Sequence, residues 1–182
     1  MPPPNEAPAP DFVPLAGSAP APAPGAQALG PVDPHQRVEL SVLLRPRRSP
    51  EDLAAISKQV AAGQRAPMSR EEYEAAFGAD PAEVAAVQQF AEQYQLEVVE
   101  VSPARRTIRL AGPAAALAPA FGVQLQQYRA ADGTRFRAHT AAVRVPAELA
   151  GSVQAVLGFD TRPLATPHTL EDSDSGEAVL TS

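Results

Sequence analysis

Proline restricts this chain more than any other residue. Proline fixes φ and has no amide proton, so it cannot sit inside a central strand or a helix interior without cost. Of the 21 prolines, eleven precede residue 35, with Pro20-Ala21-Pro22-Ala23-Pro24 at the centre of that stretch. Residues 1–37 therefore read as a Pro/Ala-rich leader, extended and disordered, a linker or a ligand for a short-motif reader. Beyond it proline becomes punctuation. Pro50 and Pro81 each follow a helix N-cap residue, Pro103 falls in a turn, and Pro113 and Pro146 precede short helices.

Between these marks the hydrophobic periods are legible. Val38, Leu40, Val42 and Leu44 alternate with more polar neighbours, the pattern of a half-buried strand. Ser49-Pro50-Glu51-Asp52 opens a helix whose Leu53, Ile56 and Val60 share a face, and Gly63 closes it. Ser69-Arg70-Glu71-Glu72 is a capping box ahead of Tyr73 and Phe77, closed by Gly78. Asp80-Pro81-Ala82-Glu83 opens the longest helix, with Val84, Val87, Phe90 and Tyr94 at helical spacing. Strands over 96–101 and 106–111 flank a turn at 102–105. Gly112-Pro113 leads to a short helix through Leu117 to Phe121, with Pro119 placed to shorten it. Val123–Arg129 and Thr134–Ala138 form a hairpin around Asp132-Gly133. A helix over 146–151 and a strand over 153–159 complete the unit.

This order predicts an α+β fold, a ferredoxin-like split β-α-β sandwich with an antiparallel sheet and helices on one face. The expected domain covers residues 38–160, followed by a flexible acidic tail over 161–182 that carries Glu171, Asp172, Asp174 and Glu177.

Composition excludes several functions. The net charge is −6, so nucleic acid is a poor partner, and no apolar run reaches membrane-spanning length. There are no cysteines, which removes disulfides, thiolate nucleophiles and cysteine zinc sites together. The start, Met1-Pro2-Pro3-Pro4-Asn5-Glu6, lacks the basic and apolar blocks of a secretory signal. His35, His139 and His168 lie far apart in expected loops or tails, so they read as solvated side chains rather than metal ligands.

Catalytic chemistry is equally hard to assemble. A fold of this class can host acyl-phosphate hydrolysis with an arginine and an asparagine, but the sole asparagine is Asn5, in the leader. No serine sits in a nucleophile elbow, and no Gly-rich phosphate loop is present. Arg45, Arg47 and Arg48, and separately Arg105, Arg106 and Arg109, read as solvated charge or as a protein-partner surface. The chain is expected to have no catalytic residues, no cofactor and no metal.

One resemblance emerges from these blocks taken in order. Ser69-Arg-Glu-Glu-Tyr-Glu-Ala-Ala-Phe-Gly78-Ala-Asp-Pro81 resembles the T/S-x-E-E-[FY]…FG segment of activation (pro-)domains in the sedolisin family of serine-carboxyl peptidases, kumamolisin type. The helix from Ala82 to Tyr94, Leu96-Glu-Val98 and Arg105-Arg-Thr-Ile108 continue the likeness. Ala120-Phe-Gly122-Val123, Tyr128-Arg129, Phe136-Arg137 and Val145-Pro-Ala-Glu-Leu149 through Gly158-Phe-Asp160 complete it.

The resemblance implies a partner rather than a reaction. It implies a subtilisin-like sedolisin catalytic domain, in cis or in trans, that this module helps to fold, blocks, and leaves by acid-triggered cleavage. It also implies an extracellular location. The expected partner contacts are Thr161, Arg162, Pro163, Leu164 and His168, directly after the last strand, and the strand carboxylates Glu39, Glu97 and Glu100. The rival reading is a stand-alone ferredoxin-like binding or regulatory domain with no peptidase partner.

Overall fold

The computed structural model describes residues 11–20 and 24–162. In chain order the strands are β1 (Phe12–Pro14), β2 (Gln27–Pro31), β3 (Arg37–Leu44), β4 (Glu97–Ser102), β5 (Thr107–Pro113), β6 (Leu125–Arg129), β7 (Arg135–His139), β8 (Arg144–Pro146) and β9 (Val153–Leu157). The helices are α1 (Pro50–Ala61), α2 (Arg70–Phe77), α3 (Pro81–Gln93), α4 (Ala114–Ala120) and α5 (Ala147–Ala150).

The principal sheet has the order β4-β5-β3-β9 and is antiparallel throughout. That order, with helices between β3 and β4 and again between β5 and β9, is the ferredoxin-like split β-α-β arrangement. The alternation in β3 sets its polarity. Val38, Leu40, Val42 and Leu44 are buried, as are Ile108 and Leu110 opposite them, and α3, α4 and α5 cover that face. Val87, Phe90 and Ala91 come from α3, Leu117 and Ala120 from α4, and Leu149 from α5. Phe121 lies at the centre, its ring 5.3 Å from Phe90 and 5.6 Å from Phe159, edge to face in both cases.

The helix starts follow the local chemistry. Ser49 and Asp52 form a reciprocal capping box on α1, and Ser69 and Glu72 do the same on α2. Asp80 caps α3 by accepting from the Ala82 amide at 2.8 Å. Pro119 is tolerated inside α4 because the helix ends one residue later.

The expectation of a disordered stretch through residue 37 fails over 11–20 and 24–37. Here β1 pairs with β8, and β2 adds to the β6–β7 hairpin to make a three-stranded sheet. Leu15 and Val32 are buried in the common core, and their amides donate to the Val143 and Leu125 carbonyls. Proline density misleads here because β1 and β2 each pair on one side only, where a missing amide proton is tolerated. The folded unit thus begins well before Val38. Residues 1–10, 21–23 and 163–182, with the disorder expected of the leader's start and of the tail, lie outside the described residues. Leu15→Ala is expected to lower unfolding stability by about 2 kcal/mol, the low end for a buried leucine. Urea denaturation checks this, and an unchanged midpoint would show that the segment contributes nothing to the fold.

Candidate functional site: the open sheet face and the chain exit

The second face of the principal sheet carries no helix among the described residues. Alternation puts Arg37, Glu39, Ser41 and Leu43 of β3 on it, and the strand register supplies their neighbours. One transverse row runs Leu157–Ser41–Arg109–Glu100, and the next runs Ala155–Leu43–Thr107–Ser102. A third joins Glu39 to Glu97 across Ala111.

In a regular strand Glu97 and Glu100 would face opposite sides. A bulge between Val98 and Glu100 inserts one residue and turns both onto the open face. All three expected strand carboxylates therefore meet there, bound to arginines. Arg109 reaches Glu39 at 2.6 Å and Glu100 at 3.2 Å, spanning three strands. Arg37 reaches Glu97 at 2.8 Å and lies 4.0 Å from Glu39. Hydrogen bonds that Arg109 donates to Glu39 and Glu100 raise it above its ordinary range, and the one Arg37 donates to Glu97 does the same for Arg37. These side chains are about half exposed, so the pairs add little to stability; their effect is to hold a fixed charge pattern. Towards β9 the face turns apolar, with Leu43 and Ala155 partly covered and Leu157 58% exposed.

The chain leaves the domain through a second ordered feature. Gly158 adopts φ +108°, and a Cβ there would stand 2.6 Å from the Glu39 carbonyl oxygen, so only glycine passes β3 this closely. Phe159 then drops its ring into the core. Arg137 of β7 grips the backbone around this turn: its guanidinium donates to the Gly158 carbonyl at 2.7 Å and the Phe159 carbonyl at 3.3 Å. Its amide donates to Thr161 Oγ1 at 2.9 Å, and the Thr161 amide donates back to the Arg137 carbonyl at 2.8 Å. Arg162 chelates Asp160 and lies over the Phe136 ring, 5.5 Å from its centroid.

The expectation that Thr161 and Arg162 begin a flexible tail fails, because Thr161 is bonded to β7 and Arg162 is held against Asp160 and Phe136. Pro163, Leu164 and His168 lie outside the described residues. Arg137 is the positioning residue that sequence reasoning missed, because its role depends on two carbonyls more than 20 positions downstream.

Partial burial pushes the Asp160 carboxyl up, but the Arg162 hydrogen bonds and charge, with His139, outweigh this and leave it below the usual range. Burial moves Arg137 down, partly offset by Asp160. The sign for Asp160 comes from the depressed folded value. Its stabilising contribution is complete above the ordinary aspartate value near 3.9 and disappears as pH falls through the lower folded value. Asp160→Asn is therefore expected to cost about 0.5 kcal/mol at neutral pH, allowing for solvent screening. The cost should shrink as pH falls below that ordinary value, as thermal denaturation at neutral pH and in strong acid would reveal; an equal cost at both would assign the effect to packing rather than charge.

A ferredoxin-like sandwich thus presents one sheet face bare among the described residues and an exit held by Arg137. Among the described residues no group of acidic or histidine side chains is placed to hold a metal ion, and no helix is long and apolar enough to cross a membrane. The chain belongs to the family described as Pro-kumamolisin, activation domain, which it matches over residues 24–162. It is thus a sedolisin-family pro-domain. Kumamolisin of Bacillus sp. (strain MN-32) is 39% identical over 156 residues, covering 85% of this chain and 28% of the relative. The match starting at residue 24 takes in β2.

Proposed function

We propose that this domain acts as a folding aid and inhibitor for a sedolisin-type, subtilisin-like catalytic domain, docking through its open sheet face and leaving after acid-triggered cleavage. The observation that carries the reading is that face: partly apolar, patterned with fixed charge, and bare among the described residues. A preformed sheet offers a template to a peptidase fold rich in non-local contacts, whose folding is slow for that reason. The segment from Thr161 through Arg162, Pro163 and Leu164 towards His168 would then lie in the substrate cleft as an extended strand. Because it is tethered to the docked sheet, its effective concentration is high. Arg137 supports this role by fixing the direction in which the segment starts.

Acid sensitivity belongs to the sheet face in this reading. Arginine stays charged at every relevant pH, so any response comes from carboxylates. Protonating Glu39, Glu97 or Glu100 would remove half of a pair that Arg109 or Arg37 organises, and with it the charge pattern presented to the partner. Asp160, held below the usual range, keeps the exit closed into stronger acid.

The test mixes the full chain with a related mature sedolisin and measures inhibition against pH. Inhibition is expected near neutrality, weakening towards about pH 4, where carboxylates in general take up protons. Affinity that is constant or rising over that range would eliminate the carboxylate switch. No inhibition at any pH would favour a stand-alone binding domain. Deleting residues 161–182 is expected to weaken inhibition markedly, and an unchanged inhibition constant would remove the segment's role.

A further inference from the structure

At the end of the sheet away from the exit, the loop between β3 and α1 meets the β4–β5 turn. Arg45, Arg47, Arg48 and Arg106 line one cleft there, about 460 Å³ in volume, with Gln154 of β9 on its side. Among the described residues no carboxylate lines it. Arg47 is partly engaged, donating to the Ala75 carbonyl at 3.1 Å and lying 3.9 Å from Asp80. Arg45, Arg48 and Arg106 form no ion pair among the described residues.

The backbone ties together the segments that carry Arg45 and Arg106. The Arg45 amide donates to the Ser152 carbonyl, and the Arg106 carbonyl accepts from the Leu44 amide, each at 2.8 Å. Arg106 also takes a positive φ of 56° at the turn. Four arginines around one cleft that no carboxylate among the described residues lines make a local positive patch in a chain of net charge −6, a place suited to an anion.

We propose that this cleft binds an acidic peptide segment, and that its occupant is the chain's own run from Glu171 to Glu177. That run carries four carboxylates, at Glu171, Asp172, Asp174 and Glu177, to face the four guanidiniums. The distance also fits. The exit at Thr161 shares a surface pocket with Gln36, at the start of β3, and the cleft adjoins the other end of that strand. Nine residues of strand span about 30 Å. Glu171 lies nine residues beyond Arg162, a length that reaches about 30 Å when extended, and Glu177 reaches further. Tethering keeps the run at an effective concentration of roughly millimolar. Its seating is electrostatic, so salt weakens it. This inference describes the chain without a partner and does not need the peptidase reading; when residues 161–168 lie in a peptidase cleft, the acidic run has to leave the arginines.

The absence of cysteine makes the test clean. In the full chain, Ser175→Cys carries a nitroxide, and broadening of backbone amide NMR signals maps where the acidic run sits. At low salt the amides of Arg45, Arg47, Arg48 and Arg106 are expected to lose at least half their intensity. The loss should disappear in about 0.5 M salt, where screening is short-ranged. It should also disappear when Glu171→Gln, Asp172→Asn, Asp174→Asn and Glu177→Gln are combined in the labelled chain. These positions lie beyond β9 and the pinned exit, so the fold is not at risk. Absent broadening, or broadening indifferent to both treatments, overturns the proposal. So does a free acidic peptide that shifts these amides while the label leaves them untouched, an outcome that assigns the cleft to a partner's carboxylates.

Discussion

Phe121→Ala is expected to remove about 3–5 kcal/mol of stability, the usual cost of truncating a buried phenylalanine. Phe121 is the middle ring of three, edge to face with Phe90 of α3 on one side and Phe159 of the exit on the other. It therefore ties the helical layer to the end of the sheet. Its backbone is also committed, since the Arg144 amide donates to its carbonyl at 2.8 Å and so fixes β8. Truncation would leave a cavity bordered by two rings that cannot both move in, because Phe159 is held by the Gly158 turn and Arg137. A domain of this size has a total stability of about 5–15 kcal/mol, so the loss is a large fraction of the whole. Urea denaturation followed by circular dichroism measures the loss. A cost below about 1 kcal/mol would mean that the ring cluster is not central to the core.

Leu157→Arg is expected to weaken inhibition of a matched sedolisin by about 30-fold or more while leaving the melting temperature unchanged. The side chain is 58% exposed on the open face, so the fold has little stake in it. It stands at the apolar end of the row that continues through Ser41 to Arg109. An exposed leucine on the open face offers a partner apolar area to bury. Burying a leucine side chain is worth about 2 kcal/mol, which is that 30-fold. An added guanidinium also meets Arg109 in the same row and disturbs its pairing with Glu39 and Glu100. An inhibitor titration at neutral pH decides the matter, and an unchanged inhibition constant would exclude this face from the contact.

The sequence was most informative where local chemistry decides structure. The cap at Ser49, the box at Ser69 and the Asp80-Pro81 start gave three helices their first residues. Alternation in Val38–Leu44 identified the central strand and its buried face. Legibility ended where structure depends on distant partners. β1, β2 and β8 are short, polar or rich in proline and glycine, and they exist because they pair with segments far away in the chain. The site showed the same limit. Glu39, Glu97 and Glu100 were identifiable as strand carboxylates, but their common face depends on a bulge at Val99 that no spacing rule reveals. The apolar stripe of Leu53, Ile56 and Val60 read as one face of a helix, with nothing to say what covers it. In the structure α1 has no buried residue, and the stripe lines an open groove with Pro67, Met68 and Tyr73.

The place of β3 between β5 and β9 has a consequence for synthesis. β3 is the first strand of the principal sheet to leave the ribosome, and β9, its second neighbour, emerges about 110 residues later. At 5–20 residues per second that interval lasts roughly 5–20 s. Throughout it, Val42 and Leu44 stand on a strand with at least one open hydrogen-bonding edge, a template for other nascent chains. The module therefore passes through a vulnerable period that only its last strand ends. Slow codons between Leu125 and Val153 should lower its yield of soluble protein more than the same codons placed after Leu157.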